Sequence, residues 1–132
     1  MSEIYSINNI NNVKITIKEP SLIFLRGDLG AGKTTLTKHI INNLLEKKCD
    51  VTSPTYTYYN KIDNIYHFDL YRLKSYDEFF AIGGEDILDN NEGVIILEWP
   101  DIIEKYYTPD IEILLKKTDN ESEREIIIKY NT

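Results

Sequence analysis

One cysteine, Cys49, stands in a chain of 132 residues. That excludes an internal disulfide framework and any metal site built from several thiolates. No apolar run approaches the ~20 residues that a membrane-spanning helix needs. The first residues, Met1-Ser2-Glu3-Ile4-Tyr5, have neither the basic start nor the apolar stretch of a signal peptide. These absences predict a cytoplasmic protein with no membrane partner. Positive charge is also in deficit: 15 Lys and Arg face 22 Asp and Glu, for a formal charge of −7. An acidic chain is a poor stand-alone ligand for a phosphate backbone, so a role with nucleic acid requires a local basic patch or a basic partner. Arginine occurs only at Arg26, Arg72 and Arg124.

What is present is concentrated early. Gly27-Asp28-Leu29-Gly30-Ala31-Gly32-Lys33-Thr34 satisfies G-x-x-x-x-G-K-[ST] at every required position. The apolar run Leu22-Ile23-Phe24-Leu25 precedes it and a segment of helical periodicity follows. Strand, glycine loop and helix are the context in which this motif cradles phosphates. The glycines let backbone N–H groups converge on an anion, and the helix start points its positive end there. In this pattern Lys33 reaches the β- and γ-phosphates and the Thr34 hydroxyl holds Mg²⁺.

At 42% hydrophobic residues, this length predicts one domain, residues 1–132, with its own core. In residues 13–18, Val-Lys-Ile-Thr-Ile-Lys, apolar and polar residues alternate, predicting a half-buried edge strand. Leu36, Ile40, Ile41, Leu44 and Leu45 mark one stripe of a helix over 34–48. Residues 56–59 and 65–70 read as a hairpin around a turn at 60–64. Ser75 is placed to cap a short helix, with Glu78 at the capping-box position. Val94-Ile95-Ile96-Leu97 is a second fully apolar run, expected beside the first in a parallel sheet. A short helix is expected over 101–106, and antiparallel strands over about 111–130. The fold class expected is α/β: a P-loop NTPase-like domain whose central parallel sheet is extended by antiparallel strands, with helices on both faces.

A phosphate loop needs an acid near Mg²⁺ at the C-terminal end of a neighbouring buried strand. Glu98 and Asp69 both qualify as metal-side carboxylates. Glu98 ends the more apolar run. Alternation puts His67, Asp69 and Tyr71 on one face of their strand; His67 is expected to be a packed, hydrogen-bonded imidazole. Arg72 is a candidate for neutralising phosphate charge. The Thr52-Ser53-Pro54-Thr55 loop supplies hydroxyls, Ser53 and Thr55, where a switch would sense the γ-phosphate. Asn60-Lys61-Ile62-Asp63 spells the guanine-reading N-K-x-D pattern, but between two hairpin strands it is better read as turn residues.

Four blocks together resemble the bacterial TsaE (YjeE) family in order and spacing. They are the loop from Gly27 through Thr35, then Thr52-Ser53-Pro54-Thr55-Tyr56-Thr57, then His67-Phe68-Asp69-Leu70-Tyr71-Arg72-Leu73, then Glu98-Trp99-Pro100. The likeness spans about residues 22–114. It implies the ATPase component of tRNA threonylcarbamoyladenosine biosynthesis, using ATP and Mg²⁺, hydrolysing weakly alone and acting with the TsaB–TsaD pair. TsaD performs the transfer, tRNA is met only through the complex, and the implied role is ATP-driven resetting between turnovers. Carried over by motif, Thr34 and Glu98 match Mg²⁺ positions, Lys33 the phosphate lysine, and Asp69 a position needed for hydrolysis. Thr55 matches a switch threonine, and Trp99 the tryptophan after the acid. Two departures stand out: the family usually opens with a longer helical segment, and Ile82-Gly83-Gly84-Glu85 replaces a frequent Leu-Gly-Leu-Glu. A small-metabolite kinase and a non-hydrolysing nucleotide-dependent switch are the alternatives that share the loop.

Overall fold

Two runs without a polar side can be buried only at the centre of a sheet covered on both faces, and that is where both lie. The computed structural model describes residues 2–28, 30–47 and 58–131. Its strands are β1 (Ser2–Ser6), β2 (Ser21–Gly27), β3 (Tyr59–Ile62), β4 (Ile65–Asp69), β5 (Val94–Glu98), β6 (Ile111–Lys117) and β7 (Glu123–Tyr130). Its α-helices are α1 (Lys33–His39), α2 (Tyr76–Ala81) and α3 (Gly84–Asp89). The strands form one sheet in the order β1-β7-β6-β2-β5-β4-β3. β6, β2, β5 and β4 run parallel; β1, β7 and β3 are antiparallel additions. Every residue of β5 is buried.

Alternation divides the core into two layers. Ile23, Leu25, Ile96 and Ile113 face Leu36, Ile40 and Ile41 of the α1 segment. Phe24, Phe68, Ile95 and Leu97 face Phe79 and Leu88 of α2 and α3. The helices therefore lie on both faces, as the apolar runs required. Of the predicted stripe, Leu36, Ile40 and Ile41 are buried and Leu44 and Leu45 partly buried, but the α-helix stops at His39 and a π turn, Ile40–Leu44, finishes the segment. Ser75 caps α2 by accepting the Glu78 N–H at 3.3 Å. The Glu78 carboxylate takes the Lys74 N–H at 2.6 Å, one residue before the position a capping box would use.

Residues 13–18 are not a strand. The edge position beside β7 is taken by β1, followed by a 3-10 helix, Ile7–Asn12. The alternation is nevertheless a burial pattern: Val13 and Ile15 sink into the α1-side core. Side chains supply hydrogen bonds that a ladder would have given: His39 Nε2 donates to the Val13 carbonyl at 2.6 Å, and the Thr16 N–H donates to the Tyr130 hydroxyl at 3.0 Å. The helix expected over 101–106 is reduced to a 3-10 turn, Pro100–Ile102. Asn60, Lys61 and Ile62 lie in β3 and Asp63 in its turn, at φ 53°, so the N-K-x-D run is hairpin structure.

Gly93 sets the spacing of the central strands. Its carbonyl accepts from the Ser21 N–H at 2.9 Å, and a Cβ built on it would stand 2.0 Å from the Asn64 carbonyl oxygen. Backbone cannot retreat as a flexible side chain can. Gly93→Ala is expected to destabilise the fold by about 1–3 kcal/mol, read as a lowered urea midpoint at unchanged m-value.

Candidate functional site

β2 ends at Gly27 and α1 begins at Lys33, so the glycine loop lies at the C-terminal edge of the parallel sheet, where open α/β sheets bind ligands. Gly32, the residue before the helix, has φ 103°, and Gly30 has φ 77°. Side-chain-bearing residues adopt such values only under strain. The turn closes through the Ala31 N–H on the Asp28 carbonyl at 3.1 Å and the Leu36 N–H on the Gly32 carbonyl at 2.9 Å. Thr34 is half-buried in the first turn of α1 and Thr35 is exposed beside it. Leu29, Ser53 and Thr55 lie outside the described residues.

Lys33 is only 6% exposed. Its ammonium folds back to donate to the carbonyls of Gly27 and Asp28, the latter at 3.1 Å, and lies 4.1 Å from the centre of the Trp99 ring. Burial pushes this ammonium below the usual lysine range; the carboxylates of Glu98, Asp69 and Asp28 pull the other way. Trp99 is held at φ 59°, ψ 62°, a left-handed conformation that costs an aromatic residue about 1–3 kcal/mol. Its ring leans on Tyr71 at 4.9 Å between centroids.

The acids meet by register. Glu98 pairs with Leu25 on β2 and with Asp69 on β4, so Asp69 and Glu98 point to the α1 side from neighbouring parallel strands. Glu98 is 3% exposed and His67 fully buried; His67 Nε2 lies 2.5 Å from Glu98 Oε2. Nδ1 of that imidazole has no hydrogen-bond partner among the described residues. His67 thus holds one carboxylate oxygen of Glu98. Asp69 accepts the Tyr71 N–H at 3.0 Å. Burial raises its carboxyl above the usual range, the Tyr71 bond opposes that, and the Glu98 charge adds to the rise. Arg72 is exposed on the turn after β4 and forms no ion pair among the described residues. A cleft of about 240 Å³ opens between Gly27, Asp28, Trp99 and Pro100. A wider hollow of about 910 Å³, lined by Tyr5, Lys14 and Ile127 among others, is formed away from the loop; none of the candidate site residues lines it.

Asp69 and Glu98 present carboxylate oxygens from adjacent strands on the α1 side. Hard oxygen donors and a nearby threonine suit Mg²⁺. No group of three His, Cys, Asp or Glu among the described residues could cage a metal by itself.

The sequence reading passed over Arg124. It is 9% exposed, and its guanidinium donates to the Ala31 carbonyl at 2.9 Å and the Gly30 carbonyl at 3.4 Å. One cue was present: Arg124, Ile126 and Ile128 share a strand face, so the arginine had to point inward with them.

A glycine loop between a central strand and a helix, with a lysine inside it and an acid on the next parallel strand, defines a P-loop nucleotide-binding protein of the α/β class. The model of the family "Threonylcarbamoyl adenosine biosynthesis protein TsaE" matches residues 5–126, and the chain belongs to that TsaE family. It is 40% identical over 109 residues to the tRNA threonylcarbamoyladenosine biosynthesis protein TsaE of Rickettsia prowazekii, covering 79% of this chain and 74% of that one. It is 42% identical over 85 residues to the protein of the same name from Borreliella burgdorferi, 61% of each. The crystal structure of Bacillus subtilis YdiB superposes with a TM-score of 0.61 at 26% identity, over 98% of this chain and 86% of that one.

The raised Asp69 carboxyl has a sign that can be checked. A folded-state pKa above the unfolded value favours the folded protein at low pH, and that contribution is lost as pH rises through the folded pKa. Asp69→Asn keeps the acceptor for Tyr71 but cannot ionise. The variant is expected to melt above wild type at pH 7, and the difference should vanish below the ordinary aspartate value of 3.8, as read by thermal denaturation across pH.

Proposed function

We propose that this chain is the ATP-binding and ATP-hydrolysing subunit of the cytoplasmic machinery that makes threonylcarbamoyladenosine in tRNA, cycling a TsaB–TsaD pair between turnovers. The observation that carries the reading is the buried Lys33 ammonium, held in the loop beside two carboxylates on adjacent strands, in a chain of the TsaE family. On arrival of a triphosphate, Lys33 exchanges the carbonyls of Gly27 and Asp28 for phosphate oxygens. Anionic oxygens are stronger partners than carbonyls, so the exchange favours binding. Loop N–H groups and the start of α1 supply further positive potential.

Thr34 and Glu98 would hold Mg²⁺, with Asp69 beside them; the ion supplies charge neutralisation on the phosphates. Asp69 orients the attacking water by accepting its hydrogen bond, and His67 fixes the rotamer of Glu98. Ser53 and Thr55 are proposed to sense the γ-phosphate, and a change of their loop on hydrolysis alters affinity for the protein partner. Trp99 and Arg72 flank this mouth, on the nucleotide or partner side. tRNA is met through the complex, in keeping with the charge of −7. A kinase would need arginines clamping the phosphates. Arg124 is buried under the loop and Arg26 faces Glu104 at 3.3 Å, which leaves Arg72 alone for that task.

Reconstitution with TsaB and TsaD of the same organism tests the proposal. Repeated tRNA modification is expected to require this chain and ATP. Lys33→Ala is expected to lower ATP hydrolysis about 100-fold or more and to stop modification after the first turnover. A Lys33→Ala protein that sustained wild-type turnover would refute the scheme.

A further inference from the structure

Lys117 and Arg124 face one another across the β6–β7 ladder. They share the sheet side of Leu115 and Ile126, which pack in the α1-side core. Like charges directly opposite on one sheet face repel, and neither residue forms an ion pair among the described residues. Both are directed at the glycine loop. Arg124 donates to the outward carbonyls of Gly30 and Ala31, and its other nitrogen donates to those of Glu121 at 2.9 Å and Glu123 at 2.8 Å. Lys117 is exposed, and its ammonium lies 3.5 Å from where a Cβ on Gly30 would stand. The Arg124 guanidinium is occupied by four carbonyls, so in a chain of net charge −7 it is the exposed Lys117 ammonium at the loop that is left to receive an anion.

We propose that Lys117 is a phosphate-binding residue of the nucleotide site and that Arg124 is the positioning residue that shapes the loop for it. The proposal rests on the nucleotide reading above and extends it to the side of the loop away from Glu98. Arg124 acts through the backbone. The carbonyls of Gly30 and Ala31 belong to the peptide units that carry the N–H groups of Ala31 and Gly32. Holding each carbonyl fixes the plane of its peptide and polarises the N–H on the far side. The Ala31 N–H closes the turn on Asp28, and the plane set through the Ala31 carbonyl fixes where the Gly32 N–H points. Lys117 acts directly, bringing an exposed ammonium to the loop at Gly30 from β6, on the side of β2 away from β5. Because the same guanidinium grips the β6–β7 turn at Glu121 and Glu123, the loop and that turn are bound into one unit.

The test is calorimetric titration of the full chain with ADP, ATP and inorganic pyrophosphate at low and high salt, with thermal melting of each protein alone. Lys117→Gln is expected to weaken pyrophosphate and ADP about tenfold at low salt, equivalent to about 1.4 kcal/mol. The loss should shrink as salt rises. The same variant should melt at or above wild type without ligand, because it removes the cross-strand repulsion. Opposite signs for affinity and stability would not arise from a merely structural lysine. Arg124→Lys keeps the charge but cannot span two carbonyls, and is expected to lose affinity for all three ligands. If Arg124→Lys does not fold, Lys117→Gln still decides. Wild-type affinity in Lys117→Gln overturns the inference and leaves the nucleotide site intact. A wild-type protein that binds none of the three ligands overturns both.

Discussion

The structure depends on two apolar strands that end side by side. β2 and β5 lie side by side at the centre because their middle residues are apolar on both faces, and their parallel pairing sets Leu25 level with Glu98. Gly27 then starts the loop where Glu98 finishes its strand, so loop and acid are brought together by strand register rather than by contacts of their own. A slip of one residue would send Glu98 to the α2 side. Gly93, whose missing side chain lets the starts of β2 and β4 approach β5, protects that register at the far end of the same strand.

Charge is distributed against the grain of the composition. The chain is acidic, yet Lys33, Lys117 and Arg124 surround one loop, and each is held by the fold in a different way: in the loop, at its mouth and beneath it. The acids that answer Lys33 come from the opposite side, on β4 and β5. The loop therefore sits in a field that runs from cation to carboxylate across a few residues, and Lys33 is stabilised in the meantime by its own backbone and an aromatic face. On the proposed reading, binding then asks Lys33 to trade its backbone partners for phosphate, while strand register has already placed the acids.

Much of this was legible in the order of residues. The loop motif was identified by its fixed spacing, the central strands by the absence of polar positions, and the shared face of His67 and Asp69 by two-residue alternation. What alternation alone could not give was strand order, and so the meeting of His67 with Glu98 stayed hidden: the two are 31 positions apart. Residues 13–18 misled for a related reason. Val13 and Ile15 carry a true burial pattern, but a period of two does not reveal whether the backbone pairs with a strand or lies over a helix. Arg124 was obscured by its distance in sequence from the loop, although its parity with Ile126 announced an inward side chain.

Trp99 is the chain's single tryptophan, and its indole lies against both the Lys33 ammonium and the Tyr71 ring. Any occupant that draws the ammonium away strips a full charge from the surface of that ring. The protein's intrinsic fluorescence is then a private gauge of one lysine's position, with no second indole to blur the reading.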